Sequence, residues 1–197
     1  MIVFDRKVVN QHRLRALDKF HSHDFLFREV CGQLIDRLSD IKLTFPLALD
    51  LGARGDLIEK LIGDRGGIEM LVKCPSLYDK QNSNIVVADE ELIPFRKGSF
   101  DLILSNLCLH WINDLPGTLT QIKNVLKPDG LFIGSMFGGQ TLVELRQVLN
   151  ESEVKLEGGL SPRISPFADI REIGALMLRS GFALPVVDME TITVSYS

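Results

Sequence analysis

The 197-residue chain has only three cysteines, one tryptophan and four histidines. Cys31, Cys74 and Cys108 are odd in number and show no C-x-x-C spacing, which argues against a disulfide frame or a thiolate metal site and for reduced thiols in a cytoplasmic compartment. No apolar run approaches the roughly 18 to 20 residues that span a bilayer, so no transmembrane segment is expected. Neither sign of charge dominates: 22 basic against 26 acidic residues leave a net charge of -4, and long-range attraction to nucleic acid is not expected. The N-terminal basic residues Arg6, Lys7, Arg13, Arg15 and Lys19 are interrupted by Asp5 and Asp18, and no apolar block follows them, unlike a signal peptide. His21-Ser22-His23-Asp24 places two imidazoles two residues apart, off any common helix face, so no metal is expected.

What is present is a 45% hydrophobic composition, enough to bury a sizeable core. Beyond Asp24, a suitable N-cap, Phe27, Val30, Cys31, Leu34, Ile35 and Leu38 recur at helical spacing and form one apolar stripe. Short apolar runs at Leu47–Leu51, Ile68–Val72, Ile85–Ala88, Phe100–Leu104 and Leu131–Phe137 read as strands, with helices at Asp56–Ile62, Leu115–Leu126 and Asp169–Arg179. Val186–Val194 reads as extended. Strands this apolar, alternating with helices, imply an α/β fold: a doubly wound, Rossmann-like parallel sheet covered by helices on both faces. Residues 1–45 are expected to be a helical segment packed on the sheet, and residues 46–197 the main domain. Between Glu157 and Pro166, glycine and proline forbid a regular element, and a loop of that length is often functional.

Ligands of open α/β sheets sit beyond the carboxyl ends of the strands, which selects the candidate residues. Asp50-Leu51-Gly52-Ala53-Arg54-Gly55 is a glycine-bearing turn between strand and helix that brings backbone close to a ligand. The end of the second strand carries Lys73 where a ribose-binding acid is sought, and an ammonium donates but cannot accept. Asp89 and Glu90 follow the third strand and can accept from an adenine amino group. Asn106 and Leu107 follow the fourth, with His110 and Trp111 beside them at the expected substrate mouth. No catalytic residue is singled out.

Taken in order, these pieces resemble class I S-adenosylmethionine-dependent methyltransferases from Leu47 to about Val194. One branch is closer. Phe4-Asp5-Arg6, Phe45–Gly52, Leu109–Pro116, Met136–Gly139 and Gly158–Phe167, most specifically its segment Ser-Pro-Arg-Ile-Ser-Pro-Phe, are similar to the complex I assembly factor five family and its bacterial relatives. The resemblance implies S-adenosylmethionine as cofactor, held by Asp50, Gly52, Ala53, Gly55, Lys73, Asp89, Glu90, Asn106 and Leu107, with His110, Trp111 and Arg163 on the substrate side. It also implies a respiratory complex I subunit as partner, with arginine hydroxylation as the family activity. The place of action would be the bacterial cytoplasm, or the mitochondrial matrix in a eukaryote. The chain departs from the family at Arg54, where glycine is usual, at Lys73, and in stopping before the antiparallel strand that closes the family's sheet. Three functions stay open: an enzyme-like protein acting on a complex I subunit, a conventional small-molecule or carrier-protein methyltransferase, and a non-catalytic assembly module with an altered cofactor site.

Overall fold

A computed structural model describes residues 2–77 and 84–195. They form two compact units, Met1–Met136 and Phe137–Ser197. The first unit begins with three helices, α1 (Arg6–Ala16), α2 (Phe20–His23) and α3 (Phe25–Ser39). There follow β1 (Leu47–Leu51), α4 (Leu57–Ile62), β2 (Met70–Cys74), β3 (Phe100–Ser105), α5 (Leu115–Val125) and β4 (Leu126–Gly134). The second unit holds α6 (Val143–Glu157) and α7 (Ile170–Arg179).

The apolar stripe of α3 does what its spacing implies: Cys31, Leu34, Ile35 and Leu38 are buried. With Leu57, Ile58 and Ile62 of α4, Cys31, Ile35 and Leu38 pack over Phe45, Ala48, Leu102 and Leu104. Each fully buried aliphatic side chain contributes about 1.5 to 3 kcal/mol, and α4 depends on this because six residues do not hold a helix in water. Leu49 and Ile103, of opposite parity along their strands, are also fully buried, so both faces of the sheet are covered.

All strand pairs are parallel, in the order β2-β1-β3-β4. The chain leaves β1 to one side and returns on the other, so the switch in strand order lies between β1 and β3. That is where open sheets bind ligands.

The expected strand at Ile85–Ala88 is reduced to a single bridge between Ile85 and Lys73. Lys73 N donates to Asn84 O, Val86 N to Lys73 O and Ala88 N to Pro75 O. The return bond that would continue this parallel ladder falls to Pro75, which has no N–H. The second strand begins two residues later than expected, and β4 begins at Leu126 rather than Leu131. Val186–Val194 pairs with no strand among the described residues, and Leu184 and Val186 stand almost fully in solvent.

In the second unit, α6 is the helix that periodicity does not reveal. Leu145, Val148, Val154 and Leu156 are exposed and its one buried residue is Glu153. In α7, by contrast, Ile170, Ile173, Leu176 and Met177 are half-buried between exposed neighbours, as their spacing implies. A capping box between Asp169 and Glu172 starts that helix.

Candidate functional site

The turn leaving β1 is built on two left-handed glycines, Gly52 at φ 77° and Gly55 at φ 65°. A Cβ on Gly52 would lie 2.2 Å from the Cys108 Sγ, so glycine is required there by conformation and by contact. Positive φ in this turn falls on these glycines and not on Arg54, and the arginine sits between them without strain. Its guanidinium lies 5.8 Å from the Phe27 ring centroid. Burial, and then the neighbouring Arg13 charge, push the Arg54 pKa down.

Asp50, near the end of β1, is buried and pairs in register with Lys73 of β2. Burial pushes its carboxyl up to about 7 against the pull of Lys73, while Glu59 adds to the rise. Lys73 is buried too, and its Nζ reaches Glu59 Oε2 at 2.6 Å. Lys73 itself offers ribose hydroxyls no acceptor, and the Glu59 carboxylate beside it is bound to its ammonium.

Asp89 and Glu90 lie where the sequence places them, at the carboxyl edge, but their oxygens are committed to other groups of the chain. Arg6 Nη2 donates to Asp89 Oδ1 at 2.8 Å and also to Glu90 Oε2. Arg13 Nη1 donates to Glu90 Oε1 at 2.7 Å and to Ser76 Oγ at 2.6 Å. The Cys108 thiol donates to the same Glu90 Oε1 at 3.2 Å. Burial opposes ionisation of Glu90, yet the flanking Arg13 and Arg6 charges outweigh it and hold the carboxyl below its usual range.

Beyond β3, Asn106 is held from both ends. Its Nδ2 donates to Phe27 O at 2.8 Å and its Oδ1 accepts from Ser135 Oγ at 3.0 Å. Leu107 adopts φ 45°, a left-handed conformation that costs a non-glycine residue about 1 to 3 kcal/mol. Its N–H is tied to Ser135 Oγ at 3.0 Å and its side chain is buried. His110 is buried, and desolvation, then the Arg13 and Arg54 charges, bring its pKa down to about 3. It is neutral at physiological pH and too weak a base to take a proton efficiently there. Trp111 packs edge-on against Phe4 at 5.5 Å, and its carbonyl accepts from Arg6 Nη1 at 3.0 Å.

Arg163 belongs to the second unit, where its Nε and Nη2 bond Glu153 Oε1 at 2.9 and 2.7 Å. Glu153 also accepts from the Ser161 N–H at 2.7 Å and from the Ser161 hydroxyl. One carboxylate thus ties down the start of the loop that the sequence marks as functional.

The hollow beside the glycine turn has a volume of about 60 Å³ and is lined by Arg13, Phe20, Ala53, Arg54, Lys73 and Ser76, among others. A site for a drug-sized ligand occupies roughly 300 to 1,000 Å³. The turn itself fits an adenosyl cofactor. The rest does not in this arrangement, because arginine side chains flank the space and hold the acids. Sequence reasoning missed Arg6 and Arg13, whose signal was available: a helix capped by Asp5, whose side chain accepts from the Lys7 and Val8 N–H groups, brings residues seven apart to one face.

Residues 67–134 match the family model described as a methyltransferase domain. The chain is 43% identical over 207 residues to the mitochondrial arginine-hydroxylase NDUFAF5 of Danio rerio, covering all of this chain and 64% of that protein. It is 34% identical over 211 residues to the malonyl-[acyl-carrier protein] O-methyltransferase of Gallionella capsiferriformans, covering 98% of this chain and 71% of that one. Among solved structures, the complex between the Haloferax volcanii Trm112 methyltransferase activator and a methyltransferase superposes with a TM-score of 0.61 at 16% identity, covering 83% of this chain and 72% of that one. The chain therefore spans less than two thirds of the arginine hydroxylase.

Proposed function

The chain belongs to the class I S-adenosylmethionine-dependent methyltransferases, with arginine hydroxylases among its relatives, and from that premise we propose that it is a cofactor-binding, methyltransferase-like protein that acts on a protein substrate in the assembly of respiratory complex I. The chemistry brought to that substrate is the one named for its relative, arginine hydroxylation. The observation that carries the reading is the glycine turn Asp50–Gly55 at the switch in strand order, with Gly52 pressed against Cys108 as only a glycine can be. The residues assigned to the cofactor are Asp50, Gly52, Ala53, Gly55, Lys73, Asp89, Glu90, Asn106 and Leu107, with His110, Trp111 and Arg163 on the substrate side. The partner is a complex I subunit, met in a bacterial cytoplasm or a mitochondrial matrix. No helix among the described residues is long and apolar enough to cross a membrane. Calorimetry with S-adenosylmethionine tests the reading: saturable binding is expected, and no heat at millimolar cofactor removes it.

A second reading, a non-catalytic assembly module, is favoured by the arginine-lined hollow of about 60 Å³ and the lysine at the ribose position. Partner capture without cofactor binding or turnover would select it.

A further inference from the structure

We propose that the N-terminal arm, residues 3–16, is a strap that holds the adenosyl site shut, so that a seated arm and a bound adenosyl ligand exclude one another. The inference rests on the cofactor reading above and adds the device that governs access to the same site.

Four observations carry it. First, the acceptors an adenosyl group needs are spent on the arm. Both Asp89 oxygens receive Arg6 donors, at 2.8 and 3.4 Å, Glu90 Oε2 receives Arg6, and Glu90 Oε1 receives Arg13. An adenine amino group or ribose hydroxyl must compete with those donors for the same carboxylates. Second, Arg6 and Arg13 are placed for this by the helix itself, since seven residues are two turns and α1 runs from Arg6 to Ala16. Third, the arm is pinned at its extended start. Asn113 Oδ1 accepts from the Val3 and Phe4 N–H groups at 2.7 and 2.8 Å, its Nδ2 donates to Phe4 O, and the Phe4 ring meets Trp111. Among the described residues, the arm's side chains beyond this anchor donate to Asp89, Glu90, Ser76 and the Trp111 carbonyl. Fourth, the closed state carries an opposing term: Arg13 and Arg54 line the same small hollow, and the Arg13 charge disfavours that of Arg54. A strap held by strong ion pairs and opposed by cation repulsion can open without the sheet unfolding. The acids in turn keep their value as ligands only when the arm leaves.

The experiment uses the full chain, with S-adenosylhomocysteine as probe, and reads three signals: calorimetric affinity, hydrogen exchange of the α1 amides, and emission of Trp111, the only tryptophan of the chain. Phe4→Ala loosens the anchor without touching any charge, and Arg6→Gln removes the outer latch while leaving Arg13 on the buried Glu90. Both variants are expected to bind the probe about tenfold or more tightly than the native chain, the usual scale for a hydrogen bond to a charged group. In the native chain, saturating probe is expected to strip protection from α1 and shift the Trp111 emission. If the native chain and both variants bind alike and α1 stays protected, the strap is overturned while cofactor use stands. Weaker binding in both variants overturns it as well, because the arm would then be part of the ligand's own site. If none of the three binds at millimolar probe, the strap and the cofactor reading fall together.

Discussion

Lys73 stands opposite Asp50 across the β1–β2 ladder, and its ammonium continues to Glu59 of α4 at 2.6 Å. A buried carboxyl, a buried ammonium and a half-exposed carboxylate thus form one chain of charge at the base of the glycine turn. The lysine that stands where the sequence leads one to seek a ribose-binding acid is a structural partner of this array.

That arrangement fixes a pH dependence of stability. Burial puts the folded Asp50 pKa at about 7, above the ordinary value near 3.9. A raised carboxyl favours the folded state fully below about pH 4, and the contribution is lost as pH rises through about 7, with a total on the order of a few kcal/mol. Urea unfolding at steps from pH 4 to 7.5 is expected to show this decline, and Asp50→Asn is expected to flatten it. Lys73→Met removes the opposing charge and is expected to move the carboxyl titration, followed by NMR, to still higher pH.

Gly52→Ala tests the close approach of the turn to the loop after β3. A Cβ would meet Cys108 Sγ at 2.2 Å with the backbone at φ 77°, so a loss of about 2 to 4 kcal/mol is expected in urea unfolding. The double variant with Cys108→Ala is expected to recover part of it, since the Sγ contact is relieved while the Cys108 Cβ at 2.7 Å and the conformation are not. Full additivity would show that the two residues do not touch.

His110 should not titrate in the physiological range. Its pKa of about 3, set by burial and then by Arg13 and Arg54, predicts constant imidazole NMR shifts from pH 5 to 8. A lowered histidine pKa supports the fold above about 6.5 and withdraws that support as pH falls toward 3. His110→Asn is expected to reduce acid sensitivity in that window, and an imidazole midpoint near 6.5 would contradict the buried placement.

Glu153→Gln tests the latch of the second unit. The carboxylate is held well down, to about 2, chiefly by the Ser161 hydroxyl and N–H and less by Arg163. The amide keeps the shape but loses the charge, and faster hydrogen exchange at the Ser161 N–H is expected with α7 unaffected. Unchanged protection of Ser161 would mean that the loop is held by something else.

The elements most legible in the sequence are those whose burial follows a simple pattern. Leu47–Leu51 and Phe100–Ser105 read as strands because nearly every residue in them is buried, and α3 reads as a helix because its buried residues keep one spacing. Helix α6 was not legible, since four of its apolar residues, Leu145, Val148, Val154 and Leu156, face water and leave no buried stripe. The strand at Ile85 failed on a backbone detail, the missing N–H of Pro75, that hydropathy does not register. In the site, the glycine turn was readable from residue type alone, because positive φ selects glycine. Leu107 was not, because nothing about a leucine announces a left-handed backbone held by Ser135.

The order of apolar segments by itself determined a parallel sheet with helices on both faces and a carboxyl edge after Asp50, because periodicity records which side of each element meets the core. It also determined which residues stand at that edge. Only the tertiary structure decided what those residues do there: Arg6 and Arg13 lie 83 and 77 positions from the carboxylates they bind, and pairings so distant in sequence are set by how helices settle on the sheet. Charge, burial and partner are properties of neighbours in space, and for Asp89, Glu90 and Lys73 those neighbours come from elements that the linear spacing does not connect.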